Sequence, residues 1–384
     1  MKVKKFFNEN NITAILVYIF VITRLLRNSI FYESKTIGGI WNYISLYFLL
    51  SYLFSMFYKL KYNKKRLIYD MYVMYILMSG FLFQISFIFE EVYDLVMMPF
   101  YIYIYIYIYR IKYINISYIS KKYISLFYIV TIINIITFFL YIKGKIAFLM
   151  VSNVYYSLCL YPLTLLNKKL NKLSTFLLFV ALLLSNKRAG LLAFILGIFL
   201  YVFFCKFLKI RHIFIILFMG FALFIGTELM MRKIELRIVK RISISAITKD
   251  KGSGRLDIYS ELLKSYISSS KIEKLIGIKR NKIVENTGHK NAHNDFIEIL
   301  YTKGIIGLIL FSLIYIKLFW NIIEMKKEKY EYLGHYVMIM FFNFILSMLS
   351  VYFIDFGYSI VGAMVTGYIV LDFDRRKINE KIRG

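Results

Sequence analysis

Apolar residues in this chain come in long runs separated by short basic segments. A helix that buries one face would show a narrower stripe, three or four apolar positions in every two turns. A bilayer core about 30 Å thick takes roughly 20 residues of helix. Twelve runs approach that length: 12–31, 38–58, 67–89, 92–109, 123–142, 146–166, 173–185, 189–205, 213–231, 305–323, 336–354 and 357–371. The first carries Arg24 and Arg27 near its far end, and the seventh is short. Residues 101–109 read YIYIYIYIY, a period that in water argues for a strand. Inside an apolar run the backbone must satisfy its own hydrogen bonds, so a helix is expected there too. The N-terminus has a basic start and an apolar run but no small-residue cleavage site, so it reads as an uncleaved first span.

One segment departs from the pattern. Residues 232–304 hold no run long enough to span, and form a long loop between the ninth and tenth runs. The pattern divides the chain into helices one to nine (1–231), this loop (232–304) and helices ten to twelve with a tail (305–384). The expected fold is an all-α polytopic membrane protein with short amphipathic helices in one large loop.

Composition agrees with that reading. Hydrophobic residues make up 60% of the 384, against about 45–50% in soluble domains. The 36 Phe and 35 Tyr exclude a disordered chain. The two cysteines, Cys159 and Cys205, fall in apolar runs and exclude a disulfide scaffold. The net charge of +28 would first suggest nucleic acid. Sorted by side, it says something else. With the N-terminus inside, the inner segments carry 26 Lys and Arg and the short outer loops seven. That is the positive-inside rule, with both termini cytoplasmic and no nucleic-acid partner implied. The long loop then falls outside with 16 basic and eight acidic residues, and long loops cross regardless of charge.

Candidate chemistry lies on that outer face. Gly252-Ser253-Gly254 precedes Arg255, and Leu256, Tyr259, Leu262, Leu263 and Tyr266 follow helical spacing. Ser253 or the glycines would cap this helix, leaving Arg255 in its first turn, where free N–H groups and a cation favour an anion such as phosphate. The alternative is an arginine solvated on a surface helix. Further on, Asn291 or His293 would open a helix that Gly304 ends. His293 there could act as base or hydrogen-bond donor, or be merely structural. His289 and His293 lack the three or four ligands zinc needs, so no metal is expected. Between the seventh and eighth runs, Arg188 combines its charge with a helix N-terminus, or snorkels to the headgroups. Arg24 and Arg27 face the same choice.

In this order the features resemble the O-antigen polymerase and ligase family of bacterial membrane glycosyltransferases. Ser185–Gly190 is similar to a Ser-Arg-x-Gly motif that opens a span, with two residues inserted before Arg188. Arg255 follows after a Gly-rich turn, then Gly277, then Ala292-His293-Asn294-Asp295, then Gly304 and Gly307 at the next span. The resemblance covers about 170–325. It implies a GT-C-like enzyme on the outer face of the cytoplasmic membrane. Its donor would be an undecaprenyl-diphosphate-linked oligosaccharide, with no cofactor and no nucleotide sugar. By resemblance Arg188 and Arg255 hold the diphosphate and His293 takes the proton of the attacking hydroxyl. Arg24, Arg27, Asn294 and His289 are further candidates for substrate contact. The product would be O-antigen or capsular polysaccharide, made alongside a chain-length regulator and a flippase. The alternatives are a ligase of the same family, and a lipid-linked oligosaccharide flippase or other transporter. A multispan acyltransferase would place polar catalytic residues near the early spans, where none stand out. A transporter would show internal repeats, and the first half has nothing to match the loop.

Overall fold

The computed structural model describes residues 9–29, 35–57, 66–83, 96–111, 115–143, 145, 151–167, 171–185, 187–205, 254–354 and 356–383. Among them all regular structure is helical. Each apolar run with described residues contains a helix. They are α1 (Glu9–Ser29), α2 (Lys35–Phe57), α3 (Leu67–Phe83), α4 (Phe100–Tyr109), α5 (Ile116–Ile142), α6 (Val154–Thr164), α7 (Asn171–Leu184) and α8 (Arg188–Phe204). The long loop supplies α9 (Arg255–Ser268), α10 (Lys271–Ile276) and α11 (Asn281–Thr287). α12 (Asp295–Lys327), α13 (Leu333–Leu349) and α14 (Phe356–Arg383) complete the chain. The run 213–231, the loop residues 232–253 and Asn186 lie outside the described residues. Two of the helices, α5 and α12, are long and apolar enough to cross a membrane.

The Tyr-Ile repeat is helical and lies at the centre of the bundle. Every residue from Phe100 to Ile108 is buried. Residues two apart on a helix are separated by 200°, so the tyrosines fall on two roughly opposite sides of α4, with Tyr101, Tyr105 and Tyr109 on one and Tyr103 and Tyr107 on the other. Each side must therefore supply a partner for a hydroxyl. Tyr101 accepts from Asn343 Nδ2 at 3.2 Å, and its ring stacks 4.3 Å from Phe353. The ring of Tyr103 meets Tyr52, and that of Tyr105 meets Tyr69, both at 5.1 Å. Tyr107 accepts from Thr13 at 3.4 Å, and Tyr109 donates to Asp374. α4 packs chiefly against α14 and α2, while α8 lies along α13. Apolar side chains exposed on the outer helices, such as Phe54, Met78, Ile136 and Ile316, form the belt expected to face lipid.

Helix ends alternate between two poles. Arg24 of α1, Trp41 of α2, Tyr155 of α6, Lys187 before α8, the end of α13 and Tyr358 of α14 meet at one pole. At the other, the polar residues Arg66, Lys317, Asn321 and Asp374 line a small cavity together with Tyr69, Tyr105, Ile106, Tyr109 and Val370.

The loop unit has its own small core, with Ile258, Leu262, Ile278, Ile283, Ala292 and Tyr301 buried together. It joins the bundle through two glycines. Gly304 (φ 64°) breaks α12, as expected from its position, but the chain resumes as helix at once. Gly277 (φ 103°) lies on the Thr302–Lys303 backbone, and Gly304 lies on Leu275–Ile276. A Cβ at either would overlap main-chain atoms. The Ile278 N–H donates to Tyr301 O at 2.7 Å across this join.

Gly288 makes the control, since it has φ 68° with open space around it. Gly288→Ala should cost roughly 1–2 kcal/mol, the left-handed penalty alone. Gly277→Ala must also displace the Thr302 backbone, so its melting temperature in detergent should fall distinctly further. Equal shifts for the two would contradict the close packing.

Candidate functional site

The residues Ala292 to Asp295 form a turn in which each position has a separate task. The buried Ala292 donates its N–H to Glu298 Oε2 at 2.9 Å. Glu298 is fully buried, and its Oε1 lies 2.9 Å from Arg280 Nη2. Arg280 also donates to Asn291 Oδ1 at 2.8 Å, so one ion pair holds both strands of the turn. His293 takes a left-handed backbone (φ 57°), which turns its side chain away from the chain path on either side. Its carbonyl accepts from Tyr259 at 3.3 Å. Asn294, rather than Asn291 or His293, caps α12, its Oδ1 accepting from Phe296 and Ile297 N–H at 2.9 and 3.2 Å. The sequence pattern misses this by one position because His293 is itself non-helical.

Asp295 is completely buried and binds the break between α13 and α14. Its carboxyl oxygens accept from Tyr352 N–H at 3.1 Å and Phe353 N–H at 2.6 Å and hydrogen bond the Ser347 side chain, while burial pushes its pKa well above the usual carboxylate range. Arg255 reaches the same break. It opens α9 after Gly254 (φ 77°), and its Nη1 donates to the carbonyl of Leu349, the last residue of α13, at 2.5 Å. A helix C-terminus presents unpaired carbonyls and partial negative charge, a favourable seat for a guanidinium.

Around this break stand further cations. Lys187 Nζ lies 6.0 Å from the Tyr155 ring, and Arg188 starts α8 beside it. Tyr155 donates to Ser350 Oγ at 3.5 Å and feels the charge of Arg255. Its ring meets Tyr358 at 5.8 Å, and Tyr358 lies 4.9 Å from the Arg24 guanidinium. Arg24 is 8% exposed, held between Tyr358 and Trp41, which is 5.3 Å away, and laid against Gly357. This aromatic cage gives it a buried seat at the pole rather than the headgroup position that snorkelling would give.

The electrostatic consequence falls on His293. Burial, and then the charges of Arg255, Lys187 and His289, lower its pKa to about 4. The imidazole is therefore neutral across the ordinary pH range, with a lone pair able to accept a proton or hydrogen bond. Burial raises the nearby Tyr259, whose hydroxyl stays protonated and available to Asn294.

The structure thus brings Arg24, Arg255 and His293 to one pole, with Arg188 starting α8 next to Lys187. His289 is exposed at the edge, close enough to act on His293. Asn294 has its side chain engaged in the cap, and the side chain of Arg27 lies outside the described residues. Lys187, Tyr155, Tyr358, Arg280 and Glu298 escape sequence reasoning, since nothing local marks them. Among the described residues no three His, Cys, Asp or Glu converge as a metal site.

Glu298→Ala would leave Arg280 and the Ala292 N–H without this buried acceptor. Losing one member of a buried pair costs about 3–5 kcal/mol. We expect a lower melting temperature and faster proteolysis of the loop, with much of both restored in Glu298→Gln. Full stability in Glu298→Ala would show that the pair does not hold the turn.

No curated protein matches the chain. The family model described as O-antigen ligase matches residues 173–312, from α7 through the first turns of α12 beyond Gly304. That segment contains Lys187, Arg188, Arg255 and the Ala292–Asp295 turn. Members of this family are membrane proteins that transfer glycans. Over residues 173–312 the chain is similar to the O-antigen ligase family.

Proposed function

We propose that the chain polymerises undecaprenyl-diphosphate-linked oligosaccharide repeat units on the outer face of the cytoplasmic membrane. The observation that carries this reading is the gathering of Arg255, Lys187 and a neutral His293 around Tyr155, at the break between α13 and α14. In the proposed step an acceptor hydroxyl attacks the anomeric carbon of the donor glycan. The bond from that carbon to the diphosphate oxygen breaks, and the diphosphate leaves with the electron pair. Negative charge grows on the leaving group, where Arg255 and Arg188, helped by Lys187, stabilise it. Removing one such preorganised donor costs roughly 10²–10³ in turnover. His293 accepts the hydroxyl proton, a contribution of typically about 10²–10⁴.

The proposed topology has twelve spans with both termini cytoplasmic and residues 232–304 outside. The two poles fit it. The pole with Arg66, Arg110 and Arg375 is the basic inner one, and the pole with His293 is the outer one. A ligase would use the same site with a different acceptor, and the description of the matching family keeps that second reading in place.

His293→Ala, Arg188→Ala and Arg255→Ala should each abolish long polymer in the native host while single carrier-linked repeats persist. Wild-type polymer at normal protein levels would remove these residues from the mechanism. A ligase would instead leave carrier-linked polymer long and block its transfer. For the purified protein, the acid limb of transfer should fall near pH 4, because His293 stays unprotonated down to its lowered pKa. A limb at the ordinary histidine value of 6.5 would place His293 outside this buried, cationic setting.

A further inference from the structure

The loop unit carries an apolar face that its own core does not use. Ile267 is 68% exposed, Ile272 63% and Leu275 50%. They line the end of α9 and the length of α10. Their surroundings indicate what lies against them. Leu275 and Ile276 rest directly on Gly304, and the residues after Gly304 that face outward are Ile305, Ile306 and Ile309 of α12. Tyr266 hydrogen bonds Lys274 O at 2.6 Å and reaches the Ile305 backbone. The exposed apolar residues of the span therefore begin directly where α10 packs on it.

The depth of this join can be gauged from α3. Tyr75 donates to Lys303 O at 2.7 Å, and Met78, 56% exposed, stands about one turn further along α3. Exposed apolar surface on α3 thus continues past Tyr75, the residue that reaches the join at Lys303. The join lies within the upper edge of the lipid-facing belt, not above it.

We propose that the end of α9 and all of α10 lie in the headgroup layer of the leaflet on the His293 side, and that this surface takes anionic phospholipid. Lys271 and Lys274 flank Ile272 and Leu275, so their stems can lie along the apolar face with the ammonium groups among the phosphates. The carboxylate between them, Glu273, accepts from Ser270 N–H and Oγ at 2.9 and 2.8 Å to close the capping box of α10. Short amphipathic helices of this kind bind a surface by apolar area together with charge. The arrangement would hold the Ala292–Asp295 turn at the depth of lipid phosphates. The proposal rests on the chain being a membrane protein and not on the transfer reaction.

The test uses the full chain with Cys205→Ser, Cys159 being buried. An environment-sensitive fluorophore is placed at Ile272→Cys, or at Glu285→Cys on α11, which packs on α9. Each is reconstituted in phosphatidylcholine nanodiscs containing doxyl-labelled phosphatidylcholine, with and without phosphatidylglycerol. The label at 272 should emit to the blue and be quenched by the doxyl lipid, while that at 285 should not. Phosphatidylglycerol should deepen quenching at 272, and Lys271→Gln with Lys274→Gln should remove that increment. Equal quenching at the two positions would overturn the proposal. So would a blue shift at 272 that persists in detergent and grows with protein concentration, which assigns the face to a second copy. No turnover is measured, so an inactive protein with a quenched label leaves this proposal standing and counts against the proposed function alone.

Discussion

One buried carboxyl group, that of Asp295, ties the long loop to the helical bundle. Asp295 accepts backbone N–H groups from Tyr352 and Phe353, at the point where α13 has ended and α14 has not begun. Those amides have no helical partner, and a carboxyl group out of water needs hydrogen-bond partners, so each solves the other's problem. The contact brings the His293 turn to the same break that receives Arg255 at Leu349 and Tyr155 at Ser350. Residues from α6, α9, α12 and α13 thereby share one rigid frame. The Gly277–Gly304 packing sets the loop unit's distance from the bundle, and the Arg280–Glu298 pair fixes the turn within the unit.

The charge at this pole follows from where the acids are directed. Asp295 is turned to amides and Glu298 to Arg280 and Ala292, while Arg24 is seated on aromatic faces and Arg255 on a helix carbonyl. The pole keeps a positive character, and burial together with those charges keeps His293 neutral. A neutral imidazole beside fixed cations is the pairing that the proposed transfer uses, with a proton acceptor on one side and leaving-group stabilisation on the other.

Much of this was legible from residue order. The apolar runs become helices because lipid leaves the backbone no other choice, and the same constraint makes YIYIYIYIY helical against its strand-like period. The positions of Arg255 and Gly304 at helix boundaries also follow from local rules. The cage of Arg24 does not, because Trp41 and Tyr358 lie far apart in the chain and each reads as one more apolar residue. Asp295 and Glu298 are similarly hidden. In sequence they are two acids in the first turn of a helix, a favourable place that explains them without any burial. Their partners at 352–353 and 280 are known only once the chain is folded.

The account is tested most directly by a cryo-EM structure of the protein in nanodiscs with undecaprenyl diphosphate. It predicts density for the diphosphate among Arg188, Arg255, Lys187 and His293, at the break between α13 and α14. Density instead at the opposite pole, in the cavity of Arg66 and Lys317, would contradict it.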